Sequence, residues 1–344
     1  MTFEMSRRGF LASAAAAGLA LTPRGAFAAE ELVAATFGGT WANVQKQILA
    51  PYFVKRTGAS VVQSPMLATE QIAKLTAAKG NQPPFDVAML DEGPALEAID
   101  AGLIAKYDPA KSPNFAALNP KFQGAYGPAI TMQAIGIAYN PKTVKTPPTS
   151  WADLWDPKLK GRVILPSLQN TEGVASVYAA SALGTGSAFK GGAPDLDATF
   201  KKLAALKPNL LTVYTQQPQA FNLLEQGEAW MVGAAQASYT LLRKAAGAPI
   251  DMVAPKEGVF ALPSGVAVIK GAPQSELAFA YVNEILGAEL QEKLAAATFS
   301  LPTNKGAKRP ASFPADLVIH SIDWAEVARD REGWVKRWDR EMSI

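Results

Sequence analysis

Two rhythms alternate along the chain. Short apolar runs are followed by stretches in which apolar residues recur every three or four positions, the signatures of strands and amphipathic helices. Leu32–Thr36 reads as a strand, broken by Phe37-Gly38-Gly39-Thr40. Val44, Ile48, Leu49, Tyr52 and Phe53 then mark a helix that Gly58 stops. Ala59–Gln63 is the next strand, and a helix over 69–79 ends at Gly80 and the Pro83-Pro84 pair. Phe85–Leu90 is a strand and Pro94–Ala101 a short helix. This order predicts an α/β fold with a parallel sheet and helices on both faces.

Pro128–Asn140 is long, apolar and without helical period, so it reads as one extended strand. Beyond the proline-rich Thr146-Pro147-Pro148 a second series starts. Strands are expected at 162–165, 210–214, 229–232, 250–254 and 265–269, and helices at 171–183, 196–206, 218–226, 238–246, 274–286, 289–296 and 324–342. The pattern predicts two α/β lobes. Residues 29–138 and 250–310 build the first and 139–249 the second, with the helical tail 311–344 packing across them. Connections near Ala138–Asn140 and Ile250–Ala254 would serve as a hinge for two jaws.

Residues 1–28 stand apart. Ser6-Arg7-Arg8-Gly9-Phe10-Leu11 is a twin-arginine pattern. It leads into the alanine-rich run Leu11–Leu21 and then Ala26-Phe27-Ala28, a small-x-small cleavage signature. That run is far shorter than the roughly 20 residues a membrane-spanning helix needs. The expectation is an export signal cleaved near Ala28 and a periplasmic product.

Composition narrows the chemistry. Of 344 residues, 49% are hydrophobic and 18% charged, too apolar for a disordered chain. The net charge of +3 is too small for a dedicated nucleic-acid binder, and part of it belongs to the leader. With no cysteine and a single histidine, His320, there is no disulfide framework, thiolate nucleophile or multi-histidine metal site. His320 is read as a packing residue, and no Ser/His/Asp set can be assembled. Asp91 and Glu92 are neighbours, too close to flank a glycosidic bond from both sides. Gly38-Gly39-Thr40 lacks the Gly-Lys-Ser/Thr ending of a phosphate loop. No catalytic residue, metal or cofactor is expected.

Ligands of parallel α/β sheets bind beyond the carboxyl ends of the strands, where helix N-termini point. The first such loop is Phe37, Gly39, Thr40 and Trp41: glycine backbone with flat walls for a ligand, or a tight turn beside two core aromatics. The second is Asp91 and Glu92: partners for an amine, or acids favoured by the helix dipole. The third is Gln169, Asn170 and Thr171: contacts for a polar group, or caps. Tyr214 and Gln236 follow later strands, with the small residues 233–235 leaving room for a ligand or for close packing. Phe260 and Ser264 flank a turn at Pro263, and Gln133 on the long strand completes the candidate set.

One segment adds a resemblance. Thr149-Ser150-Trp151-Ala152-Asp153-Leu154-Trp155-Asp156-Pro157-Lys158-Leu159-Lys160-Gly161-Arg162 is similar to a stretch of periplasmic solute-binding proteins of ABC importers, in the type II, spermidine/putrescine-binding-like group. Phe37–Trp41, Ile250–Gly258, Ser264–Val268 and Pro302-Thr303-Asn304 support it, and it spans essentially the whole chain after the leader. The resemblance implies a hinged two-lobed type II fold, a small-molecule ligand in the cleft, a membrane permease as partner, and a monomer without enzymatic activity. Polyamine binders of that group hold ammonium groups with acids between aromatic rings. Here 166–170 lacks an acid, 233–235 lacks a tryptophan, and Pro263-Ser264 stands where an aspartate is expected. A buried dication without counter-charges is costly. The expectation is therefore a smaller or zwitterionic amine, or a carboxylate, rather than a full polyamine. Iron binding is disfavoured because no two tyrosines are adjacent. An enzyme or a chemosensory binder on the same scaffold remains the alternative.

Overall fold

The computed structural model describes residues 30–187, 189 and 193–342. The expected export signal, residues 1–28, lies outside the described residues.

The first lobe opens with β1 (Glu31–Thr36), followed by α1 (Thr40–Val44), which passes through a π-helical turn (Gln45–Leu49) into α2 (Ala50–Thr57). Gly58 ends this helix in the left-handed conformation, φ 79°, as glycine readily does. Then come β2 (Ser60–Pro65), α3 (Ala68–Ala77), β3 (Val87–Asp91) and α4 (Glu92–Asp100). β4 (Ala129–Tyr139) leads to the second lobe: β5 (Val163–Pro166), α5 (Gly173–Thr185), α6 (Leu196–Ala204), β6 (Leu210–Tyr214), α7 (Gln217–Gln226), β7 (Met231–Gln236), α8 (Ala237–Ala245) and β8 (Asp251–Val253). The return runs through β9 (Val259–Val268), α9 (Ser275–Ile285), α10 (Ala288–Thr298), β10 (Leu301–Pro302), β11 (Ile319–Ser321) and α11 (Trp324–Met342).

The sheet order is β2-β1-β3-β9-β4-β7-β5-β6. Within each lobe the local strands are parallel, as the strand–helix rhythm demands, but β9 runs antiparallel to β3 and β4, and β4 antiparallel to β7. The sheet is therefore mixed rather than parallel. β4 is the strand shared by both lobes, for its Ile135 pairs with Phe260 of β9 on one side and Gln236 of β7 on the other.

Three expectations at this junction need correction. The return is made by β9, which begins at Val259; segment 250–254 supplies only the short β8, paired to Ile137–Tyr139. Pro263 lies inside β9 and forms no turn. The other edge of β9 pairs with β11 up to Ala261 and with β3 from Ser264. Pro263 falls in the gap between these partners, where a missing N–H breaks no ladder. β7 likewise continues to Gln236 instead of ending at Val232, so residues 233–235 are strand and not loop.

Both faces of the sheet are covered. Phe53, Tyr281, Val282 and Leu32 lie in one core of the first lobe, and Phe85, Ala88 and Leu90 in that of its other face. The core of the second lobe gathers Trp151, Phe200, Trp334 and Trp338, the last two from α11. α11 touches both α4 and α6. The Thr149–Arg162 segment is a structural device: Trp151 Nε1 donates to the Gly258 carbonyl at 2.9 Å, and Ser150 Oγ to Glu257 Oε1 at 2.5 Å. The motif ties the second lobe to the start of β9.

Candidate functional site

The apolar strand Val87-Ala88-Met89-Leu90 is buried along its length and delivers Asp91 to its carboxyl end. There Ser264 Oγ donates to Asp91 Oδ1 at 2.7 Å, from the register position directly opposite on β9. Burial raises the Asp91 carboxyl above its ordinary range, and the Ser264 hydroxyl opposes that rise. Glu92 opens α4 at the rim. Its side chain keeps solvent-exposed area, yet the surrounding walls strip it of enough water to push its carboxyl up to about 7, with Asp323 adding repulsion.

The opposing acid comes from the turn after β5. Ser167 Oγ accepts from the Gln169 N–H at 3.2 Å, the Ser167 carbonyl from the Asn170 N–H at 3.0 Å, and Asn170 Nδ2 donates to the Tyr214 carbonyl at 3.2 Å. At Gly173 a Cβ would lie 2.3 Å from the Ser167 carbonyl oxygen, so only glycine lets α5 start so close against this turn. The result is a buried Glu172, 6% exposed. Tyr214 Oη donates to its Oε1 at 3.0 Å and Gln236 Nε2 to its Oε2 at 3.2 Å. Burial raises the Glu172 carboxyl; these two donors pull it down, and Asp91 raises it further.

All three carboxyls line one cavity of about 200 Å³ between the lobes. Phe37, Trp41, Asp91 and Glu92 come from the first lobe. Gln133, Leu262, Pro263 and Ser264 come from the shared strands, and Thr171, Glu172, Gln236 and Ser238 from the second lobe. Trp324 closes the wall from the start of α11. Among the described residues no lysine, arginine or histidine lines it. Carboxyls gathered at one cavity and partly stripped of water are poorly stabilised as anions. A ligand bearing ammonium N–H donors would relieve all three, and flat indole and phenyl faces favour the same kind of guest. Among the described residues no group of three or more acids and histidines is placed to hold a metal ion.

Eight of the fourteen sequence candidates meet at this cavity: Phe37, Trp41, Asp91, Glu92, Gln133, Thr171, Gln236 and Ser264. Six do not line it. Gly39 and Thr40 are exposed at the helix start, and Gln169 is exposed in its turn. Asn170 is engaged with the Tyr214 carbonyl, and Tyr214 stands behind Glu172 as its hydrogen-bond donor. Phe260 is a core residue, 2% exposed, with ring centroids 5.7 Å from both Trp151 and His320. His320 Nε2 lies 2.5 Å from the Glu257 carbonyl oxygen, the packing role expected of it.

Glu172, Ser238, Leu262, Pro263 and Trp324 line the cavity without having been candidates. Glu172 carries the main correction. The acid sought in 166–170 is supplied two residues later, in the turn that leads into α5, so the cleft is not short of acids. The signal was present, since Glu172 directly follows the candidate Thr171. Trp324 had no such local sign, because only the fold brings α11 back to the cleft.

The model of the family described as bacterial extracellular solute-binding protein matches residues 49–318. The spermidine/putrescine-binding periplasmic protein 1 of Haemophilus influenzae is 26% identical over 321 residues, covering 88% of this chain and 87% of that protein. The spermidine/putrescine-binding periplasmic protein of Escherichia coli is 28% identical over 294 residues, covering 80% and 78%. A crystal structure of an ABC transporter protein from Clostridium perfringens superposes with a TM-score of 0.77 at 29% identity, covering 91% of this chain and all of that one. The chain belongs to the bacterial extracellular solute-binding protein family.

Proposed function

We propose that this extracellular solute-binding protein captures a small organic cation, an amine of the diamine or polyamine class, in the periplasm and presents it to the permease of an ABC importer. One observation carries the reading: Asp91 and Glu92 from one lobe and Glu172 from the other face the same cavity, whose wall holds no cationic side chain among the described residues. The naming of two relatives for spermidine and putrescine supports it. The cavity, at about 200 Å³, is below the roughly 300 Å³ at which drug-sized pockets begin, and suits a short chain over a bulky one.

The acids also supply a reason to close. In this reading the elements β1 to α4 with α9 and α10 form one jaw and β5 to β8 the other, hinged on β4 and β9. An ammonium group held by Asp91 and Glu92 gains Glu172 only when the jaws meet. The ligand thus prefers the closed state, and that difference in affinity drives the shift. The protein acts alone as a monomer and needs no cofactor.

Calorimetric titration of the full chain with putrescine, spermidine, 4-aminobutyrate and succinate tests this. Putrescine or spermidine should bind most tightly, 4-aminobutyrate more weakly because its carboxylate meets three acids, and succinate not at all. Binding of succinate without binding of either amine would overturn the reading. The amine should be recovered chemically unchanged.

A further inference from the structure

The turn that presents Glu172 is gripped from outside the cleft. Arg331, two turns along α11 from the wall residue Trp324, donates to the Leu168 carbonyl through Nε at 3.2 Å and through Nη2 at 2.9 Å. Nη2 also donates to the Gln169 carbonyl at 3.2 Å. These two carbonyls sit between the end of β5 and the start of α5, outside any strand or helix. Arg331 makes no ion pair among the described residues; burial works against its charge and the nearby Glu172 works for it. A planar fork reaching adjacent carbonyls is a task for arginine, which the single ammonium of lysine cannot duplicate.

We propose that Arg331 is a positioning residue of the cleft, clamping the Leu168 and Gln169 carbonyls so that Thr171 and Glu172 meet the ligand from a fixed turn. The inference rests on the reading of Glu172 as a ligand partner. It makes α11 part of the site twice over, as a wall through Trp324 and as a clamp through Arg331, while the same helix also touches α4, which begins at Glu92.

Hydrogen–deuterium exchange on the ligand-free chain and calorimetry with putrescine test it together. In Arg331→Met the Asn170 and Gly173 amides, which bond to the carbonyls of Ser167 and Asn170, should exchange about tenfold faster, with α11 amides unchanged. Putrescine should bind about tenfold more weakly. Arg331→Lys restores the charge without the fork, so it should recover part of the affinity while exchange stays fast. Unchanged exchange at Asn170 and Gly173 would overturn the clamp, as would equal acceleration throughout α11, which would mean general undocking. If the wild-type chain fails to bind putrescine, the amine reading falls and the exchange result decides the clamp by itself.

Discussion

Ser264 and Asp91 face each other across the antiparallel pair β3–β9, with the hydroxyl donating to Asp91 Oδ1 at 2.7 Å. The acid thus stands on one strand and its support on the next. Ser264→Ala removes the one hydrogen bond that opposes the upward push of burial on this carboxyl. Amine affinity should drop about three- to tenfold, the size of one lost hydrogen bond of roughly 0.5–1.5 kcal/mol. Titration calorimetry with putrescine checks this, and an affinity equal to wild type would remove Asp91 from the ligand's contacts.

Glu172→Gln should act more strongly on binding than on folding. The carboxylate is the one acid that the second lobe puts on the cavity wall among the described residues, so its loss should weaken an amine about 10- to 100-fold, as expected for a charge-assisted contact of roughly 1.5–3 kcal/mol. The fold gives up a buried acid whose charged form was disfavoured, so thermal stability should hold or rise. A large fall in unfolding midpoint would assign Glu172 to the scaffold instead.

Legibility in the sequence followed how local each cause is. The strand–helix rhythm marked nearly every element, because side-chain period and glycine or proline stops act within a few residues. β9 was cut short because Pro263 reads as a turn in isolation; only the gap between β11 and β3 makes it harmless. Asp91 and Gln236 were found by the rule that strand ends face the ligand. Phe260 was placed as a flank of a turn at Pro263, but it stands near the start of β9, in the core of the second lobe. Glu172 required seeing that Gly173 packs on the Ser167 carbonyl and aims the preceding residue inward.

Two aromatic deletions should separate wall from core. Phe260→Ala empties a site packed against Trp151, Tyr178 and His320 and should destabilise the fold by about 3–5 kcal/mol. The protein that remains folded should bind amine as before. Trp41→Ala, at a half-buried position on the wall, should cost about 0.5–2 kcal/mol of affinity, the range for a cation over an indole face. Denaturant unfolding and titration of both variants give the four numbers. A binding defect confined to Phe260→Ala would reverse the two assignments.

The last prediction concerns pH, where folding and binding should move in opposite directions. The Glu92 carboxyl ionises at about 7 in the fold against an ordinary value of 4.5. Between those values the folded chain holds a proton that the unfolded chain has lost, so this residue makes stability fall as pH rises through that window. Asp91 and Glu172, also raised, act in the same sense. An amine needs the ionised carboxyls, so its affinity should instead climb as pH rises through 7 and level off above it. Binding at pH 6.5 must then expel protons, because the bound cation favours the charged acid. Calorimetry in two buffers of different ionisation enthalpy measures that release directly. Equal enthalpies in both, with affinity flat from pH 5.5 to 8, would mean that Glu92 never meets the ligand's charge, and the cation would rest on Asp91 and Glu172 alone.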